Sequence, residues 1–247
     1  MRDFEKALAL AAASPRAESG IGSVSEGSLH HFLKFYFEPD ADLHEVGVGR
    51  YFADIRNEDG ILEIQTRALY RLKPKLDAFL PLDAVTVVYP VAAVKRLSWL
   101  DPDTGEKTKP RRSPKKGTRY DCIRELYALR DYLTRDGFRL CLVFLELEEI
   151  RLKNGWGRGG KRGSERMDRL PLGLCDVEFY NEPADYGLFL PESLPSVFTA
   201  AEFAAAARVT PMIAGMTVKL LLRTGHLEPD GKRGRALLYK KKSEVRR

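Results

Sequence analysis

Apolar residues recur with helical spacing at the start of the chain's ordered pattern. Between Ser25 and Phe37, the residues Leu29, Phe32, Leu33 and Tyr36 fall at i, i+3, i+4 and i+7, which predicts an amphipathic helix. The period then shortens to two. Runs around Glu45–Val48, Arg50–Arg56 and Ile61–Arg67 predict three short strands. A second helix is predicted over Ala68 to Phe79, with Pro74 bending it or setting its start. The continuous apolar runs Ala84–Tyr89 and Leu140–Leu145 suit central strands covered on both faces, and Tyr120–Leu133 predicts a further helix. The order is α-β-β-β-α-β followed by more of both, a mixed α/β architecture over residues 23–190. Residues 1–22 read as a short helix or tail. Its Ala-rich stretch Ala7–Ala13 follows Asp3 and Glu5, where a signal peptide carries positive charge.

The most informative pattern is Tyr51 to Arg67. Asn57-Glu58-Asp59-Gly60 is a hairpin signal, because Gly after Asp supplies the positive φ of a tight turn. Closure there sets Asp54 opposite Glu63, and alternation puts Gln65 on the same face as Glu63. Ala53, Ile55, Leu62 and Ile64 form the opposite, core-facing set. A slip of one residue would turn that set outward, so the register is pinned. Cross-strand Cβ atoms lie about 4.5–5.5 Å apart, so two carboxylates and an amide oxygen converge. Facing carboxylates repel unless neutralised. A hard divalent cation such as Mg²⁺ does this, with water and phosphate oxygens completing its shell.

Charge sharpens this picture. The 247 residues carry a formal net charge of +6, and the excess is concentrated. Lys95–Arg119 holds nine Lys/Arg against three acids, and Arg151–Arg169 holds seven against two. From Ser196 onward there are eleven against four. Gly- and Pro-rich basic loops of this kind suit a phosphate backbone, and Trp156 within the second offers a ring either for stacking on a base or for anchoring the loop. The three cysteines, Cys122, Cys141 and Cys175, lack metal-ligand spacing and read as buried free thiols of a reducing compartment. No run of about 18 apolar residues predicts a membrane span. Together these features predict a cytoplasmic protein.

Leu190–Ser196, bracketed by Pro191 and Pro195, predicts a boundary. Beyond it, over residues 196–247, Thr199-Ala-Ala-Glu202 is a capping box that opens a helix through Ala207. Arg208-Val209 turns, and Thr210-Pro211 starts a second helix that Gly225 closes. Residues 226–228 and 236–239 flank a basic tip containing Lys232, Arg233 and Arg235.

The hairpin and its surroundings resemble the PD-(D/E)XK, or restriction-endonuclease-like, nuclease superfamily, whose core is α-β-β-β-α-β. Ala53-Asp54 stands at the Pro-Asp of that motif and Glu63-Ile64-Gln65 at the Glu-x-Lys. The resemblance spans about Ser25 to Tyr89. It implies that Asp54 and Glu63 hold Mg²⁺ or Mn²⁺, that Gln65 orients water, and that Glu26 acts from the first helix. His30, one turn further on, is expected near the same site, with a capping or packing role as its alternative, and His31 on the surface. Gln65 replaces the usual Lys, a Glu-x-Gln form similar to that of competence-associated nucleases. Lys73 or Lys75 is a candidate substitute for the missing cation. His44 and His226 read as incidental loop residues. The C-terminal segment resembles a winged helix-turn-helix, which implies duplex DNA as partner. Its second helix would offer Met212, Gly215, Lys219 and Arg223 to the major groove, and Lys232, Arg233 and Arg235 would meet phosphates from the wing. The whole chain also resembles a conserved bacterial family.

The expected activity is therefore metal-dependent hydrolysis of DNA phosphodiesters. One active site per chain makes a homodimer a natural way to cut both strands. Two alternatives stand beside it: a DNA-binding regulator on an inactive nuclease scaffold, favoured by Gln65, and an RNA-processing nuclease.

Overall fold

Asp3 caps the first helix, α1 (Phe4–Ala13), its carboxylate accepting from the Lys6 N–H at 3.1 Å. In chain order there follow α2 (Ser28–Phe37), β1 (His44–Val48), β2 (Tyr51–Asn57), β3 (Gly60–Ile64), α3 (Lys73–Phe79), β4 (Val85–Leu100) and β5 (Arg111–Arg112). Then come α4 (Ile123–Leu126), β6 (Phe138–Leu152), β7 (Glu165–Tyr180), β8 (Val197–Thr199), α5 (Ala200–Ala207), α6 (Pro211–Arg223), β9 (Leu227–Arg233) and β10 (Ala236–Lys241). The computed structural model describes residues 2–14, 27–152 and 165–242. Glu26, Trp156 and most of the second basic loop lie outside these residues. No single described helix is long and apolar enough to cross a membrane.

The fold is mixed α/β with a mixed sheet of order β1-β2-β3-β4-β6-β7, and β5 pairs with β4. Antiparallel pairing joins β1 to β2 and β2 to β3. Side-chain pairs Arg96–Glu146 and Ser98–Glu148 keep a constant offset along β4 and β6, as parallel neighbours do. The chain divides into two compact, interleaved units: Met1–Thr66, Val88–Thr118 and Leu142–Val177 form the first, and Arg67–Val87, Arg119–Cys141 and Glu178–Arg247 the second.

In the first unit α2 is buried almost all round, nine of its ten residues being inaccessible, as expected of a helix covered on more than one side. Helix α1 packs on it, with the Phe4 and Phe32 rings 4.9 Å apart. This overturns the surface placement of His31. That residue is 5% exposed, and its Nε2–H donates to the Ala11 carbonyl at 3.1 Å. His44 is not incidental either. It opens β1, donates to the Glu38 carbonyl at 2.8 Å and packs edge-on against Phe35.

The second unit corrects another expectation. Tyr120–Leu133 is not one helix: a 3₁₀ turn over Arg119–Cys122 leads into α4, and a second 3₁₀ turn covers Tyr127–Leu129. Its buried residues Ile123, Leu126, Leu129 and Tyr132 recur every third position, a spacing that both short α and 3₁₀ turns accommodate. Ala68–Phe79 splits likewise into a 3₁₀ turn and α3, with Pro74 in the first turn of α3.

At the C-terminal end of this unit the capping box forms as read. Thr199 Oγ1 accepts from the Glu202 N–H, and Glu202 accepts from the Thr199 N–H at 2.6 Å. Arg208 takes the left-handed conformation at φ 53°, turning the chain into α6 under the Thr210 cap. Helices α5 and α6 meet at 108°. The ribbon is three-stranded, order β8-β10-β9, because the short strand β8 adds an edge that its length hid in the sequence. His226 is tied in as well, Nε2–H donating to the Ala184 carbonyl at 2.8 Å. Cys122 and Cys141 are buried, whereas Cys175, on β7, is exposed, contrary to the reading of all three as buried.

Candidate functional site

Hairpin β2–β3 closes as its turn residues dictate. Ile55 faces Leu62, Arg56 faces Ile61 and Asn57 faces Gly60. Gly60 adopts φ 108°, and Asn57 Oδ1 accepts from the Asp59 N–H at 3.1 Å inside the turn. One step further along, this register sets Asp54 opposite Glu63. Ala53, Ile55, Leu62 and Ile64 are all buried. Ile61 and Glu63 are buried too, so β3 is covered on both faces. Glu63 is only 1% exposed. Strand β3 is shorter than its sequence pattern: it ends at Ile64, and Gln65 follows it, its N–H donating to the Val88 carbonyl at 2.9 Å.

Asp54 is the hub. Its Oδ2 accepts the Ile64 N–H at 2.6 Å and stands 3.2 Å from His30 Nε2 on α2. The carboxylate thus replaces a backbone acceptor at the end of the hairpin ladder. With Asp54 ionised, the imidazole N–H is the donor of that pair.

What sequence reasoning missed is how α2 is held there. Asp168 of β7 caps the helix from another strand: Oδ1 accepts the Ser28 N–H at 3.1 Å, and Oδ2 accepts a short bond from the Ser28 hydroxyl. A carboxylate at the first turn satisfies an orphan N–H and complements the helix dipole. No local signal marks this role, because Asp168 is 140 residues from Ser28. Lys34 of α2 is likewise buried and pairs with Glu45 Oε1 at 3.0 Å.

Among the other residues singled out, Lys73 and Lys75 lie on α3 of the second unit. On α6, Met212, Lys219 and Arg223 are exposed and Gly215 half-buried. Arg223 pairs with Asp131 at 3.0 Å, and the Met212 sulfur accepts from Arg124 at 3.7 Å. On the β9–β10 ribbon Lys232, Arg233 and Arg235 are exposed, Arg233 pairing with Glu202 at 2.7 Å. Among the described residues no group of three or more His, Cys, Asp or Glu side chains is disposed to hold a metal ion.

Strand β6 carries a second set of buried carboxylates, Glu148 and Glu149, beside β4. Glu148, 6% exposed, accepts from Ser98 Oγ and from Lys107 Nζ at 2.9 Å. Burial pushes its pKa up, but those hydrogen bonds and the Lys107 and Arg96 charges outweigh burial and hold it below the usual carboxylate range. A carboxyl depressed on folding adds stability above its unfolded pKa, near 4.3, and that stability is lost as pH falls through the folded value. Glu148→Gln is therefore expected to lower the melting temperature at pH 7. The gap to wild type should close as melts are repeated from pH 5 downward. A gap that stays constant with pH would remove the electrostatic role.

A family model described as "Domain of unknown function (DUF8091)" matches residues 27–179, more than half of the chain. The matched stretch contains α2, the hairpin, the long strands and both of the first basic segments. An "Uncharacterized protein" of Treponema pallidum (strain Nichols) is 32% identical over 222 residues, covering 90% of this chain and 87% of the relative. No solved structure matches.

Proposed function

This chain belongs to the DUF8091 family, and we propose that it is a metal-dependent DNA nuclease of restriction-endonuclease-like fold, docked on duplex DNA by a C-terminal winged helix. The observation that supports this reading is the hairpin register, which extended one step beyond Ile55–Leu62 sets Asp54 opposite Glu63, with His30 against Asp54. The element order α2-β1-β2-β3-α3-β4 is that of the superfamily core.

The donor set fits a hard cation. Asp54 and Glu63 offer carboxylate oxygens and Gln65 an amide oxygen. Mg²⁺ is commonly held by one or two carboxylates and keeps its waters. Asp54 and Glu63 would hold the ion, and when bound it supplies Lewis acidity toward water and the phosphodiester. The chain's own residues do the rest. His30 holds a proton at Nε2 beside Asp54, where water approaches. Gln65 orients that water in place of the usual Lys. Asp168 positions His30 by fixing the first turn of α2.

Support for the docking module comes from β8-α5-α6-β9-β10. Its helices meet at 108°, within the 90–120° of helix-turn-helix pairs, and its sheet ends in a basic turn. Lys219 of α6 and Lys232 and Arg235 of the ribbon are exposed and make no ion pair among the described residues. Arg223 would exchange Asp131 for a phosphate.

Titration of Mg²⁺ and Mn²⁺ into wild type and Glu63→Gln, with linear, nicked and supercoiled DNA and an RNA duplex as competitor, tests the proposal. Metal-dependent DNA cutting is expected. It should fall by more than about 100-fold in the variant, beyond the 10–100-fold cost of altering a group one step removed from a metal. Absence of cutting on every DNA form overturns the nuclease. Tight binding without cutting would leave the regulator, and cutting of RNA alone the processing enzyme.

A further inference from the structure

The basic segment after β4 has its own architecture in the first unit. From Lys107 to Thr118 the chain holds six Lys/Arg and no acid. It is not a loose loop. Lys107 bridges Leu100, and the Thr108 N–H donates to the Trp99 carbonyl at 2.9 Å. Arg111 and Arg112 pair with Leu97 and Arg96, and the Ser113 N–H donates to the Lys95 carbonyl at 2.7 Å. The Gly117 N–H ends the run on the Ala92 carbonyl at 3.0 Å. The segment is laid along β4 back toward the hairpin.

Strand β6 follows one edge of β4, so the returning segment lies on the other, the edge that β3 also uses. There β3 is followed by Gln65, bonded to Val88, and the basic run ends four residues on at Ala92. At roughly 3.3 Å per residue the separation along β4 is about 13 Å. Alternation turns Pro90, midway, toward the same edge. With no N–H to donate, it leaves a break in the ladder between the candidate site and the basic run.

Charge divides along the same line. Lys95, Arg96 and Lys107 are neutralised by Glu149, Glu146 and Glu148. Lys109, Arg111, Arg112 and Lys116 are exposed and form no ion pair among the described residues. Arg112, Ser113, Lys115 and Lys116 line a cavity of about 260 Å³ floored by Ala93 and Val94. Gly117 makes this close seating possible, since a Cβ there would lie 2.3 Å from the Ala92 carbonyl oxygen.

We propose that the segment Lys109–Lys116 is a fixed phosphate track. On this view the Arg112–Lys116 cavity, floored by Ala93 and Val94 five and six residues beyond Val88, takes a backbone phosphate of duplex DNA about five to six nucleotide steps from the Gln65–Val88 contact beside the hairpin, at roughly 3.4 Å per step along a strand. The inference deepens the nuclease reading and rests on it for the identity of the DNA. Binding measured in EDTA tests the track apart from cutting.

The probe is a fluorescent DNA duplex, titrated by anisotropy over a range of salt concentrations. Arg112→Glu/Lys116→Glu is expected to weaken binding at least tenfold and to reduce the salt slope by roughly 2, near 0.9 per phosphate lost. Lys6→Glu/Arg50→Glu, an equal charge change elsewhere in the unit, is the control and should shift binding far less. Gly117→Ala keeps every charge but displaces the run from Ala92, and is also expected to weaken binding. Equal losses in both double variants, or an unaffected Gly117→Ala, overturn the track. Binding that depends on the track without cutting by wild type in Mn²⁺ would overturn the nuclease reading and leave the track standing. Cutting with binding indifferent to Arg112 and Lys116 would do the reverse.

Discussion

Asp54→Asn is expected to abolish metal-dependent cutting while leaving the metal-free protein at least as stable as wild type. Glu63 is buried directly across the hairpin, and two facing carboxylates repel. The amide removes that repulsion and still offers an oxygen to the Ile64 N–H, which donates to Asp54 Oδ2 at 2.6 Å. Asp54→Ala removes the repulsion and the acceptor together. Ile64 is 1% exposed, so its N–H would be left buried and unpaired at a cost of about 1–3 kcal/mol. Adding Mg²⁺ or Mn²⁺ should then reorder the series. An ion that binds only the folded wild type stabilises it by about 2.7 kcal/mol at one hundred times its Kd, and neither variant should respond. Thermal melts of the three proteins in EDTA and in metal separate these effects without any substrate. A wild type indifferent to metal, or an Asp54→Asn that melts upward with it, would remove Asp54 and Glu63 as ligands.

The hairpin that carries this prediction was legible because three local rules coincided. Asp-Gly set the turn, alternation set the faces, and the apolar set Ala53, Ile55, Leu62 and Ile64 fixed which face turned inward. The capping signals at Thr199 and Thr210 were legible for the same reason, since a cap and its partner lie within one helical turn. Tyr120–Leu133 misled because apolar residues every three positions overlap with a 3.6-residue pattern over so short a run. Here Ile123, Leu126, Leu129 and Tyr132 are buried on a segment that alternates 3₁₀ and α turns. Strand β8 was invisible because three residues carry no period. At the site, Asp168 and the return of Lys107–Gly117 along β4 depend on partners far away in sequence or on a glycine's missing Cβ. His31 was misplaced because its burial comes from α1, an element whose packing no periodicity in α2 reports.

Phe198→Ala is expected to have the largest effect on stability and to decide what the C-terminal module contributes to binding. Phe198 is fully buried on β8, faces Tyr239 across the strand pair, and packs its ring 6.1 Å from Phe203 of α5. Phe203 in turn meets Tyr120 edge-on at 6.3 Å. Truncating such a ring costs about 3–5 kcal/mol, because the transfer energy is lost and a cavity remains. Leu237→Ala on β10, where the side chain is 52% exposed, should shift stability by less than about 0.5 kcal/mol. Denaturant melts measure both, and hydrogen exchange should show the amides of β8, α5, α6 and the β9–β10 ribbon opening first. A loss as small as that of Leu237→Ala would mean that the aromatic cluster does not hold the module together. Duplex affinity measured on the same protein, at a temperature where only this region has opened, then divides the basic surfaces. If α6 and the ribbon dock the DNA, affinity should collapse with them. Affinity that survives would assign docking to the Lys109–Lys116 segment, leaving the helix pair and ribbon a structural role.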